Sequence, residues 1–534
     1  MTQLAYDAKG RLVTVKDALG NTRQFSYDKD DVLLSLQNEL GHITAFTYDA
    51  AGKRTGITDA NGHATQYAFD LRDNLTAITN AAGGVKQVSA DAKGNILSVT
   101  NVLNKITGFV YDANDNLVSK TDVMGNKTSY AYDSDDQVVT VTSSNGTVTT
   151  FADNRPVKIT DPQGHTRTFS YNAVGRLLTV TDAEGLTTTY TYDAVNRLVA
   201  VKDALNRTIT MTYDAVGNLL TVTDAMGNVT KRRYDATNKL VSQVNALDEE
   251  TRYEYDANDR LVKVIDANNH ATQLGYDAKG RLVSVTNALG NTRQLSYDAG
   301  DNLLKRIDAL GNTVAALSYD VLDNPLSVSD VLGNTSQFEY DAASRLIGSV
   351  DPAEKATQFS YDDLGRLVTS VDAAGKSSRQ VFDKDGHRTQ LTDPNENQTN
   401  FVFDKSGRLV KATTAAGGSV QYSYSASDLL KTVINARGQA RQFEYDAGGR
   451  LTSMTDADGE VTYTYDNNDN VLTVTDANGV ISRDYDAVGR VIKYTDSQGN
   501  VLQYAYDAGG HLVTLTYPDG KQVFYAYDGR CCIN

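Results

Sequence analysis

Along the chain, short apolar runs and strictly alternating runs take turns, separated by small polar clusters. Arg11-Leu12-Val13-Thr14-Val15 is apolar and β-branched, and Thr22-Arg23-Gln24-Phe25-Ser26-Tyr27 puts every second side chain on one face. Both patterns predict strands. Between them lie Asp7-Ala8-Lys9-Gly10 and Asp17-Ala18-Leu19-Gly20-Asn21. There Asp can cap its own turn through the carboxylate, and Gly supplies positive φ. Each unit therefore predicts a β-hairpin. A helical reading fails, because nothing recurs at three and four residues and Gly-containing turns interrupt every eight to ten residues.

The unit repeats about every 21 residues, marked by Tyr-Asp at Tyr6-Asp7, Tyr27-Asp28 and Tyr48-Asp49 and onward to Tyr527-Asp528. There are 19 exact dipeptides and 7 relatives such as Phe69-Asp70, Tyr171-Asn172 and Phe403-Asp404, hence 26 units. A fixed period over a whole chain decides the fold before any local reading. The expectation is all-β: about 26 antiparallel hairpins in one long sheet, residues 1–534, with no internal domain boundary. At about 4.8 Å per strand, some 52 strands make a ribbon roughly 250 Å long. Each neighbour adds about 20° of twist, so the ribbon must coil. Too few large side chains remain to fill a wide centre, and the expected form is a hollow spiral.

Phe25/Tyr27, Phe46/Tyr48, Tyr190/Tyr192 and Tyr504/Tyr506 fall in pairs on one face of the returning strands. Stacked hairpins are expected to line these up as aromatic ladders along the sheet. The period slips between Tyr132 and Tyr171 (two units in 39 residues), between Tyr297 and Tyr319 (22) and at Tyr465 and Tyr485 (20 each). These slips predict kinks or bulges.

Charge narrows the partners. The net charge of −16 argues against nucleic acid, whose binders place basic residues on phosphates, and against an anionic membrane surface. No apolar run reaches the length of a membrane span. The start lacks the charged and apolar regions of a signal peptide. Both ends look cut: residues 2–29 match 272–299 at 22 of 28 positions, and the unit opened by Tyr527-Asp528-Gly529-Arg530 is not completed by Cys531-Cys532-Ile533-Asn534. A fragment with open strand edges is expected to self-associate.

Candidate chemistry is thin. Asp28-Lys29-Asp30-Asp31, Asp133-Ser134-Asp135-Asp136 and Asp466-Asn467-Asn468-Asp469 are loosely like calcium loops but lack EF-hand spacing, and turn caps explain them. His42, His63, His165, His270, His387 and His511 sit in turn or strand-start slots with no metal or triad spacing. The adjacent Cys531 and Cys532 form no disulfide framework. No catalytic, cofactor-binding or metal-binding residue is assigned, and the chain reads as non-enzymatic.

The phrase YDAxGRLxxVTDAxGNxTxxxYD, as in the copies starting at Tyr6, Tyr213 and Tyr276, resembles the YD repeat of bacterial rearrangement-hotspot (Rhs) proteins. Wall-associated proteins, C components of insecticidal toxin complexes and animal teneurins carry related repeats. The resemblance implies a spiral β-shell, or β-cage, that encloses a C-terminal toxin domain for bacterial competition, secreted or shown at the cell surface. That toxin domain is not in this chain; an immunity protein or a secretion apparatus would be further partners. In that family a DPxG motif serves self-cleavage. Here Asp161-Pro162-Gln163-Gly164 has the motif only mid-chain, in an ordinary turn slot, and Asp351-Pro352 and Asp393-Pro394 lack the Gly, so no catalytic residue is carried over. The alternative is an adhesion module that binds glycans or a receptor through exposed Tyr and Asp. A hydrolase hidden in the irregular stretch 133–170 ranks last.

Overall fold

In a computed structural model, which describes residues 2–527, the chain is a single antiparallel sheet of 51 strands. The Met1 start, the Asp528-Gly529-Arg530 continuation and the Cys531-Cys532 pair lie outside the described residues. Strands run from Gln3–Tyr6 to Gln522–Phe524, and no connection exceeds five residues. Each strand pairs with the one before it and the one after it, as Gln3–Tyr6 does with Leu12–Lys16 and Leu12–Lys16 with Thr22–Tyr27. The described residues contain no helix, so none is long and apolar enough to cross a membrane.

The turn chemistry explains why the strands end where they do. Asp7 N–H donates to Arg11 O at 2.9 Å, and Gly10 N–H returns to Asp7 O at 3.0 Å. The Asp7 carboxylate accepts the Lys9 and Arg11 amides at 2.9 and 3.0 Å. The fourth turn residue sits in the left-handed region, at φ +83° for Gly10, and elsewhere Asn or Asp fills it, as at Asn196 and Asp259 (both φ 65°). Those residue types tolerate that conformation best. The three Asp-rich clusters are caps of this kind: Asp28, Asp133 and Asp466 each accept two amides of their own turn.

A bulge recurs at the repeating Tyr-Asp beat. Ala5 pairs with Thr14 but Tyr6 with Leu12, and the same slip appears at Tyr27, Tyr48 and Tyr276. A bulge bends its strand and adds twist, so one per unit curves the ribbon steadily. The period slips behave differently from expectation. Between Tyr132 and Tyr171 a two-residue turn, Asp153-Asn154, replaces a five-residue one, both residues having positive φ. Ala457-Asp458 and Ala477-Asn478 are likewise two-residue turns, before Tyr465 and Tyr485, with the positive φ at the following Gly459 and Gly479. Only the 22-residue step adds a bulge, at Arg306/Ile307. Length is absorbed in the turns, and the sheet continues.

The aromatic ladder is not formed. Equivalent tyrosines stand two strands apart, about 9.6 Å, beyond the ring–ring range. Among the described residues the stacked or tilted ring pairs are His387–Phe403 and His511–Tyr527. Between successive aromatics stands an aliphatic: Phe25 pairs with Leu36 and Tyr27 with Leu33. The opposite face carries hydroxyl pairs, Ser26–Ser35, Thr212–Thr221 and Thr464–Thr473, each at 2.6 Å.

No hydrophobic side chain among the described residues is fully buried. The accessible surface is 29851 Å². A compact protein of 57.9 kDa would expose about 19,000 Å². The excess is what a wall one sheet thick produces.

Candidate functional site

The structure brings together two sets of side chains: one ties each unit to the next within the wall, and one ties successive coils together.

The wall set is built on the Tyr-Asp-x-x-Gly-Arg phrase. Arg11 Nε donates to its own Asp7 at 2.7 Å, while its Nη1 donates to Asp28 O (2.7 Å) and Asp31 Oδ1 (2.9 Å) of the next unit. The guanidinium also lies over the Tyr27 ring, 5.0 Å from its centroid. Tyr27 OH in turn donates 2.9 Å to Leu12 O. The same latch recurs at Arg197/Tyr213, Arg260/Tyr276, Arg281/Tyr297 and Arg408/Tyr424. Ring and guanidinium are thus committed to the adjoining unit, and the Asp7 carboxylate to its own turn. Electrostatics follow: burial would raise Asp277, but Arg281 outweighs it and the carboxyl is held low. Burial pushes the Tyr255, Tyr424 and Tyr506 phenols up.

The coil set joins turns 237 to 262 residues apart. Asn258 Nδ2 donates to Asp17 Oδ2 at 2.6 Å and its Oδ1 accepts Ala18 N–H at 3.0 Å. Asn61 clasps Asp298 and Gly300 in the same two-bond manner, at 3.1 and 3.0 Å. Asn268 clasps Asp507 and Gly509 at 3.0 and 3.1 Å. Between these clasps run Lys105–Asp363 (2.8 Å), Ser406–Asp161 (2.6 Å), Ser427–Asp182 (2.8 Å) and Arg490–Glu249 (3.3 Å). In every case a turn of the Asp17 type on the earlier coil meets a turn of the Asp7 type on the later one. These contacts make a seam. One circuit is about twelve units, or some 24 strands, which at about 4.8 Å each trace a backbone circle roughly 37 Å across, with a narrower space inside it.

Asp161, the aspartate of the mid-chain DPxG, belongs to this seam. Burial alone would raise it, but Ser406 Oγ, the His165 and Gln163 amides and the His165 ring outweigh burial and hold it at about 2. Open grooves of about 380 and 390 Å³ lie along the seam, one lined by Ser144, Asp383, His387 and Phe403, the other by Arg167, Asp203 and Arg207. His165, His387 and His511 pair with their own turn aspartates at 3.0, 2.9 and 3.1 Å, as expected of turn residues.

A family model described as RHS repeat matches eleven segments between residues 6 and 522, together more than half of the chain. The teneurin YD-shell model matches residues 233–403. Two solved structures are similar over the whole length. The crystal structure of TcdB2-TccC3-TEV shares 13% identity over 99% of this chain and 36% of that one, with a TM-score of 0.60. TcdB2-TccC3 without its hypervariable C-terminal region shares 13% over 100% and 34%, with a TM-score of 0.54. The chain therefore spans about a third of the length of these structures, and the likeness is one of fold. No curated protein matches.

Proposed function

Because the chain belongs to the RHS-repeat family, we propose that it is a shell segment that encloses and carries a C-terminal toxin effector used in bacterial competition, acting outside the cell that makes it. The observation that carries this reading is a continuous wall of 51 strands, coiled and stitched along a seam, with no packed centre among the described residues. One similar structure is described as TcdB2-TccC3 without its hypervariable C-terminal region, and the C-terminal end of the shell is where an exchangeable effector would follow. An acidic wall suits a basic, incompletely folded effector, held by its surroundings without chemistry from the wall.

The adhesion alternative needs free aromatic platforms for glycans or a receptor. The phrase tyrosines are a poor source, since Arg281 covers Tyr297 at 4.8 Å and the phenol is used on Leu282 O. The test is to extend the chain at its C-terminus with a small destabilised reporter domain and digest with a nonspecific protease. Protection of the reporter, lost when the wall is unfolded in urea, supports enclosure. A reporter cut as fast as the free domain contradicts it.

A further inference from the structure

We propose that Asp59, His63 and Asp323 form a divalent-cation site that clasps the first coil to the second. Asp59 and His63 lie in one turn, and Asp323 comes from a turn a full circuit later. Their three ligand atoms lie within 4.8 Å of one another, the one such group of three among the described residues.

Three of the six histidines pair within their own turn, and His63, like His42 and His270, does not. His165, His387 and His511 each place Nδ1 2.9–3.1 Å from the carboxylate of their own turn. His63 Nδ1 instead stands 3.5 Å from Asp59 Oδ2 and 3.9 Å from Asp323 Oδ1. It is buried and has no hydrogen-bond partner. A buried ring nitrogen left unpaired is costly, unless a ligand completes it. Spacings of 3.5 and 3.9 Å are too long for hydrogen bonds at their usual lengths. They are the separations of donors about 2.0–2.2 Å from a shared metal.

The carboxylates are prepared for the role. Asp59 Oδ1 is occupied by the Asn61 and His63 amides, at 2.9 and 2.8 Å, which leaves Oδ2 turned to the ring. Asn302 Nδ2 donates at 2.7 Å to Asp323 Oδ1, the same oxygen that faces His63, and fixes that side chain in place. Such outer hydrogen bonds orient metal ligands. Two carboxylates facing each other across the seam repel, and a dication removes that repulsion. One imidazole nitrogen with two carboxylate oxygens suits a zinc-like ion, with water in the fourth position.

His270 is an internal control. Its Nδ1 is likewise unpaired and 3.5 Å from its turn aspartate, Asp266, but no third ligand joins them in a metal-sized group.

The test uses the full chain with Cys531→Ser and Cys532→Ser, so that thiols do not contribute, and titrates zinc chloride by calorimetry. Variants are His63→Asn, Asp323→Asn and His270→Asn. Asn stands naturally at the slots of the first two, at Asn126 and at Asn196 (φ 65°), so the turns can fold. The expected result is one zinc per chain at this site, weakened about tenfold or more by His63→Asn and by Asp323→Asn and unchanged by His270→Asn. Zinc should also raise the melting temperature of the parent and of His270→Asn, but not of the other two. Absence of zinc binding, or binding indifferent to Asp323→Asn, overturns the proposal.

Discussion

The wall and the seam are built from the same turns but are not held alike. Within the wall, each unit meets the next through a main-chain ladder, joined in many units by a Tyr-to-carbonyl bond and an Arg that bridges two units. Across the seam, coils meet through single side chains, among them the Asn clasps and a few ion pairs. Ladder bonds come at every unit and act cooperatively, whereas the partly buried side-chain bonds of the seam come singly and are worth about 1 kcal/mol each. The shell is therefore stiff along the ribbon and weak between coils. A release step that needs the lumen opened is expected to part the seam and leave the strands intact.

The largest contrast should come from the wall. Arg281→Ala removes bonds to Asp277, Asp298 O and Asp301 together with the stack on Tyr297. A loss of about 2–3 kcal/mol is expected in urea unfolding. Tyr297→Phe, which deletes only the 2.8 Å bond to Leu282 O, should cost about 1 kcal/mol. Equal effects of the two would mean that the Arg contributes nothing beyond the phenol.

Acid should act on the seam next. Asp161 lies at about 2, below its ordinary 3.8. Asp17, Asp224 and Asp507 are also lowered: burial opposes the shift, and Asn258, Asn468 and Asn268 from the facing coil are among the donors that outweigh it. A carboxylate depressed on folding stabilises above its unfolded value and loses that contribution as pH falls through its folded one. Coil-to-coil cohesion should thus be full above about pH 4 and decline toward pH 2. Hydrogen exchange of seam turns should rise in that window before exchange of mid-strand amides. Simultaneous release of both would contradict a weaker seam.

The smallest effect on global stability belongs to Asn258→Ala. It breaks two bonds to the Asp17–Ala18 turn and should cost less than about 1 kcal/mol. Its expected signature is local: faster proteolysis at the turns around residues 17 and 258, with the unfolding midpoint almost unmoved.

These differences track what a sequence can carry. The Tyr6-Asp7 beat specified hairpins, and the Asp-x-x-Gly spacing specified caps, because both are local. The aromatic ladder was misread at Phe25 and Tyr27, since alternation gives the face but not the two-strand gap between equivalent rings. The slip between Tyr132 and Tyr171 looked like a kink or bulge because three missing residues do not show whether turn or strand gives way. Asn258 and Asp17, or His63 and Asp323, have no local sign of meeting. Their approach depends on the curvature summed over some twelve units of the period, to which the bulge at each Tyr-Asp beat contributes. The turn slot of His63 was legible; the carboxylate arriving from the next coil was not.

Electron cryo-microscopy of the chain in solution tests the account most directly. The expected map shows a wall one sheet thick around an open lumen, with the turn of Asp17 against the turn of Asn258. A straight, filled rod, or a ribbon whose successive coils do not touch, would contradict it.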